Sequence, residues 1–301
     1  MAVSTRFVLQ QGGVLRGLGQ TAVGALKQRL GQGAAPPSSI PGNKITATFA
    51  PRPPALIRAY VRNVGGDPSA YKHHVPAHLF PQWAFALTGK TLEGLDYPML
   101  SAMNGGCELI EHARLPQGEA LEVSARLESI DDNGRRAILT QRVVTGTRSA
   151  PGALVAKMQV FVPLPKKPDA GPRAPKKPPA RVPESAREVA WLRVKSDAGL
   201  DFAKLTGDFN PIHWVPAYAR AFGFRSTILH GFGTMARAIE GVNRGLYAGD
   251  VTRLKHVRVR FTKPLVLPAQ VGVFLDGEHL TVGPAPGGPA YLTGTCTETL
   301  P

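Results

Sequence analysis

The sequence predicts an α+β fold built as two similar units in tandem, each with helices followed by antiparallel strands. Three observations predict it. Phe232, Met235, Ile239, Val242 and Leu246 recur at three- and four-residue steps, the mark of a helix with one buried stripe. Strand-like alternation follows helical segments twice, before and after a Pro- and Lys-rich stretch at 164–184. A faint repeat links the two runs: Pro264–Leu275 echoes Ala113–Leu127, each a Leu-Pro step followed by a strand.

Taken in order, residues 1–42 form a basic segment and linker. No acid precedes Asp67, and Phe7, Leu9, Val14, Leu15, Leu18, Val23, Leu26 and Leu30 lie among basic residues. The pattern fits an amphipathic helix that packs on the body or frays, with an organelle-targeting peptide or a loose membrane-surface contact as alternatives. The first unit spans 43–163. Lys44–Phe49 alternates as a strand, Ala55–Val64 reads as a short helix, and Val75–Leu87 is apolar and aromatic. Leu95–Leu109 contains the close-packing residues Ala102, Gly105 and Gly106. Leu121–Leu127, Arg136–Thr145 and Leu154–Val162 are strands, with Asp131-Asp-Asn-Gly134 closing a hairpin. After the extended linker comes the second unit, 185–301. It opens with a strand at Arg187–Val194 and a helix toward Leu205 capped by Ser196 or Asp197. Further strands at Arg253–Phe261, Val271–Leu275 and Ala290–Leu300 close it.

The chemistry sits in Thr206-Gly-Asp208-Phe-Asn210-Pro-Ile-His213, with Leu229-His230-Gly231 downstream. Asp208 and His213 would face different sides of an unbroken helix. Pro211 lacks a backbone N–H and pushes Asn210 out of the helical region. The chain therefore ends a helix near Gly207, bends, and restarts after His213, with Pro216 in the first turn of the next helix and Gly223 at its end. Such a bend brings a carboxylate and an imidazole onto one water. The next, apolar helix opens at Gly231-Phe232-Gly233. Its first N–H groups have no partner within the helix and carry the positive end of its dipole. A thioester carbonyl gaining negative charge can be held there.

The run from Asp201 to Glu240 resembles the signature of the MaoC-like, R-specific enoyl-thioester hydratases and dehydratases. The matching parts are Gly207-Asp208, Asn210-Pro211, His213, Ala219 to Phe224, and His230-Gly231. The resemblance implies a double hot-dog, two antiparallel sheets each wrapping a long central helix and packed side by side, with the catalytic pair only in the C-terminal unit. It implies reversible hydration of trans-2-enoyl thioesters to (3R)-3-hydroxyacyl thioesters, with Asp208 and His213 catalytic and the Gly231 amide as oxyanion hole. Phe209, Asn210, Phe232 and Thr234 would line the site. Arg225, Lys255 and Arg253 are candidates for coenzyme A phosphates. His230 is expected to support the turn. Several family members carry a Ser where this chain has Ile239, which leaves a secondary polar contact in doubt. The first unit's Asp67, His73 and His74 have the wrong spacing and no His-Gly after them, so that unit is expected to shape the cavity.

Composition narrows the alternatives. The 301 residues suffice for two domains, and 43% hydrophobic content supports real cores. The formal net charge is +15, but helix-turn-helix, zinc and RNA-binding motifs are missing from the sequence. Nucleic acid is therefore not the expected partner; an anionic acyl-CoA or acyl carrier protein thioester is. Two cysteines, Cys107 and Cys296, make no disulfide framework or metal cluster, so a reducing, cytoplasmic setting is expected. A membrane span, metal or redox cofactor is not expected. Oligomeric state stays open, a homodimer being one candidate. The competing functions are a hot-dog thioesterase and a non-catalytic acyl-thioester binding protein.

Overall fold

Leu121, Val123, Ala125 and Leu127 turn to a buried face while Glu122, Ser124 and Arg126 lie toward solvent, the period of two that a half-buried strand requires. The computed structural model describes residues 3–12, 39–165 and 178–301. Most of the expected amphipathic segment and of the Pro/Lys linker lies outside the described residues.

After a 3-10 helix at Thr5–Gln11 come β1 (Ile45–Phe49), α1 (Pro54–Val64), the short β2 (His74–Val75) and α2 (Pro81–Thr88). Strands β3 (Met103–Glu111), β4 (Leu115–Pro116), β5 (Leu121–Asp132), β6 (Arg136–Gly146) and β7 (Leu154–Pro163) complete the first half. The second half contains β8 (Arg187–Val194), α3 (Ala198–Thr206), α4 (Pro216–Ala221) and α5 (Gly231–Gly245). It ends with β9 (His256–Phe261), β10 (Ala269–Asp276), β11 (His279–Gly283) and β12 (Leu292–Thr297).

Ten strands form one antiparallel sheet in the order β1-β5-β6-β7-β3-β9-β12-β11-β10-β8. Each half supplies five strands, and the order of the second mirrors that of the first. The faint Leu-Pro repeat precedes β5 and β10, which occupy equivalent places. The fold is the double hot-dog, with its two sheets continuous rather than separate: β3 pairs with β9 from Gly106↔Arg260 to Ile110↔His256. Gly106 permits that junction, since a Cβ there would lie 2.4 Å from the Val259 carbonyl oxygen.

The two halves differ in their helices. α5 lies on β8 and β10, where a Cβ on Gly245 would come within 1.9 Å of Val189 O. The first half's counterpart, α2, is only eight residues long. Gly89, Gly94 and Pro98 break the next stretch of chain into 3-10 turns and loops, so the expected second long helix does not form. Phe80 and Phe85 of the first half pack on Phe232 of α5, which also meets Phe261 edge-on. One aromatic cluster thus belongs to both halves.

Several boundaries shift from those the sequence predicts. Leu246 lies past the end of α5 and is 40% exposed, not part of its buried stripe. β9 starts at His256, three residues later than expected, and Arg253 before it forms an ion pair with Glu298 at 2.6 Å. β11 is a strand the alternation does not reveal, although Asp276-Gly277, with Gly277 at φ 57, is the turn signal before it. The N-terminal segment packs on the second half. Val3 N donates to Asp201 Oδ1 at 3.0 Å, and Gln11, fully buried, donates to Leu205 O at the end of α3.

Candidate active site

α3 ends where the sequence expects. Gly207 adopts φ 84, a left-handed conformation that glycine enters without strain, and its N–H caps Ala203 O. Asp197 precedes the helix in helical backbone geometry and makes no side-chain cap; a capping carboxylate needs extended backbone there. Beyond Gly207 the chain turns through Asp208, closes a 3-10 turn at Pro211–His213 and enters α4. The loop is pressed onto α3: a Cβ on Gly199 would sit 1.9 Å from His213 O.

A second segment, Thr227–His230, locks this loop from the other side. Ile228 N donates to Ile212 O at 3.3 Å. The His213 Nδ1 lies 2.9 Å from Ile228 O. A carbonyl only accepts, so Nδ1 carries the proton and Nε2 keeps a bare lone pair. His230 Nε2 lies 2.9 Å from the backbone oxygen of Asp208, which fixes its tautomer by the same logic. The two imidazoles stack, with centroids 3.6 Å apart and planes 26° from parallel. Side-chain donor atoms of Asp208, His213 and His230 lie within 4.8 Å of one another.

Burial opposes the charged form of every member of this cluster. Burial pushes the Asp208 carboxyl upward against the opposing pull of His213. Burial likewise lowers His213, against the pull of Asp208, and drives His230 well below the ordinary imidazole range. The head of α5 adds partial positive charge beside them. The His230 side chain makes no cap on that helix, whose first N–H groups have no partner within it. Gly231 has a second reason to lack a side chain: a Cβ would meet the Phe261 ring at 2.8 Å.

Two imidazoles and a carboxylate suggest a metal set, but the stack is wrong for one. A metal sits in the plane of each ligating ring, about 2 Å from its nitrogen. Stacked rings with centroids 3.6 Å apart and planes only 26° from parallel do not converge on such a point.

Residues 177–278 match the family described as MaoC like domain. Those residues form a MaoC-like domain within the C-terminal half. The chain is also 29% identical over 266 residues to 3-hydroxyacyl-thioester dehydratase X of Mycobacterium tuberculosis, covering 85% of this chain and 89% of that protein. A probable enoyl-CoA hydratase 2 of Dictyostelium discoideum is 24% identical, covering 62% of this chain and 64% of its own length. The crystal structure of HtdX from M. tuberculosis superposes with a TM-score of 0.65 at 25% identity, covering 84% of this chain and 99% of that one.

The other expected residues of the MaoC-like half fall in varied places. Asn210 is exposed, and its Oδ1 accepts from Ile212 N at 3.2 Å, so its side chain shapes the turn. Phe209 packs edge-on with Trp214 beside the loop. Phe232 is buried in the shared aromatic cluster, and Thr234 Oγ1 is turned back onto His230 O at 3.3 Å. Arg225 is exposed. Arg253 is committed to Glu298, while Lys255 lines a small internal cavity with Glu111 and Arg114.

In the first half, Asp67 caps a turn at Ser69, and burial holds His74 down at about 4. The histidine that does meet an acid there is His78, whose Nε2 lies 2.9 Å from Glu240 Oε1 of α5. Sequence reading passes over this pair because 162 residues separate its members. The apolar stripe of α5 offers one hint: Glu240 interrupts a helix that is buried on nearly every face.

Proposed function

We propose that this protein reversibly hydrates trans-2-enoyl thioesters to (3R)-3-hydroxyacyl thioesters. One observation carries the reading: the bare Nε2 of His213 and the Asp208 carboxyl stand together at the uncapped head of α5. In the hydration direction, a water between the two gives up a proton to one of them as its oxygen bonds to C3. The C2–C3 π electrons move onto the thioester oxygen, which the Gly231 N–H stabilises. Collapse of that enolate takes a proton at C2 from the pair, so one water is added and the enzyme is restored. Positioned acid–base groups of this kind contribute about a hundred- to ten-thousand-fold, and one oxyanion donor about 3 kcal/mol. The relatives' names, a 3-hydroxyacyl-thioester dehydratase and an enoyl-CoA hydratase, support the same chemistry.

Around this centre, we assign the acyl wall to Phe232 with Phe80 and Phe85, and the mouth to Phe209. Thr234 stiffens the head of α5, and Asn210 holds the turn that presents His213. Exposed Arg225 suits the phosphates of coenzyme A or of a carrier-linked pantetheine. The first half builds cavity without a reacting pair of its own, and the division falls at 164–184. This addition of water needs no cofactor beyond the thioester's own carrier. Two buried free thiols, Cys107 and Cys296, suit a reducing compartment such as the cytoplasm.

The test is direct. Purified protein is incubated with crotonyl-CoA and longer trans-2-enoyl-CoAs, tracking loss of the conjugated-thioester absorbance, beside Asp208→Asn and His213→Ala. Turnover in the wild type that disappears in both folded variants, with a 3R product on chiral analysis, is the expected result. Release of free thiol without hydration would establish a thioesterase instead.

A further inference from the structure

We infer that His230 is a positioning residue that holds the Asp208 loop through its Nε2–H and sets the spacing of the catalytic pair. The inference rests on the hydratase reading for its kinetic consequence, but its structural claim stands apart from it. His230 is buried and touches both members of the pair. Its ring stacks on His213 and lies tilted against Phe202, with centroids 4.8 Å apart. Its Nε2 proton is directed at the Asp208 backbone oxygen, at 2.9 Å, and Asp208 Oδ2 is farther away at 3.9 Å. It therefore has no proton free for the reacting atoms.

Packing alone does not explain an imidazole at this position. The Nδ1 of His230 is buried and meets no hydrogen-bond partner among the described residues. Leaving a buried lone pair unsatisfied is unfavourable. Phenylalanine would fill the same slot, stack on both neighbours and leave no orphan atom. What phenylalanine lacks is a donor for the Asp208 carbonyl.

That carbonyl has reason to need one. Asp208 follows Gly207, which is conformationally free, and its own N–H makes only a 3.5 Å contact to Thr206 Oγ1. His213 is fixed by Ile228 O, two residues before His230. Ile228 and His230 thus form a two-point clamp, one point on each member of the pair.

Two variants separate the alternatives. Glutamine places an amide N–H near the imidazole Nε2 position but does not stack; phenylalanine stacks but does not donate. If the bond to Asp208 is the role, His230→Phe remains folded but loses about a hundredfold in kcat with KM little changed, the scale expected for a misplaced catalytic group. His230→Gln then retains most of kcat. Phenylalanine equal to or better than glutamine overturns the inference. A second measurement needs neither variant folding nor turnover: nitrogen-15 spectra of the histidine-labelled wild type should show His230 as the Nε2–H tautomer and His213 as the Nδ1–H tautomer at neutral pH. His230 found as Nδ1–H overturns the inference even if hydration is confirmed. A wild type inert toward every enoyl thioester, with the expected tautomers intact, overturns the hydratase reading and leaves the clamp standing.

Discussion

Asp208 and His213 occupy positions where burial opposes the charged form of each, raising the acid and lowering the base from their ordinary values of 3.8 and 6.5. Hydration needs Asp208 ionised and His213 neutral. Activity should therefore rise with pH along an acid limb that lies above the ordinary carboxylate range, titrating as a property of the pair. A pH profile of kcat/KM with its acid limb at or below the ordinary carboxylate value of 3.8 would contradict this. The same shift bears on stability. A carboxyl whose folded pKa is raised stabilises the fold below that pKa, and this contribution is lost as pH rises through it. Asp208→Asn should accordingly gain Tm relative to wild type on going from acid to neutral pH, while losing turnover. A Tm difference that shrinks over that range would sink the argument. The placement of this pair was legible in the sequence because its cause is local: Gly207 and Pro211 dictate the bend whatever the rest of the chain does. The tautomers were not, since Ile228 O and Asp208 O reach the two rings across 15 and 22 residues.

α5 connects the site to the other half of the molecule. Gly231 stands at its head and Glu240 about 13 Å along its axis at 1.5 Å per residue. Glu240 accepts from Tyr71 OH at 2.6 Å and faces His78 Nε2 at 2.9 Å. Tyr60 OH donates to His78 O at 2.8 Å, so its oxygen receives the His78 Nδ1 proton at 3.1 Å. The short contact between His78 Nε2 and Glu240 then requires a proton between them, a buried bond between halves that fixes how far α5 projects its head. Gly66 belongs to the same fit, because a Cβ there would fall 2.5 Å from the Glu240 carboxyl. Replacing Glu240 by leucine strands His78 and Tyr71 and should cost about 3 kcal/mol in denaturant unfolding. Adding His78→Phe should recover part of that loss, the non-additivity expected of partners in contact. Full additivity, or an unchanged midpoint in the single variant, would show that the network does not hold the helix. Elements whose signal is periodic, such as α5, β5 and β8, were readable at this scale. The short α2, the strand β3 and the pairing of β3 with β9 were not, because glycine breaks and contacts between the halves leave no periodic signal there.

At the scale of the whole molecule, a mirrored pair of five-stranded units carries the proposed reacting pair in its second half, together with a formal net charge of +15. Several of the acids are paired within the fold: Glu108 with Lys157 and His256, Glu111 with Arg114, and Glu298 with Arg253. Arg220, Arg225, Arg258 and Arg260 are exposed, so the surface potential is positive. An acyl-CoA carries its negative charge on the nucleotide end, far from the reacting carbons. Attraction to that end should speed encounter without altering chemistry, and it should fade as salt shortens the screening length from about 10 Å at 0.1 M toward 3 Å at 1 M. Raising ionic strength should therefore lower kcat/KM for an enoyl-CoA while leaving kcat unchanged. The matching enoyl thioester of N-acetylcysteamine, which has the reacting group but no phosphates, should show almost no salt dependence. Arg225→Ala should raise KM for the CoA substrate about two- to fivefold, the scale of an exposed ion pair, and leave the truncated substrate untouched. Equal salt slopes for the two substrates would mean that the positive surface serves something other than the substrate's carrier.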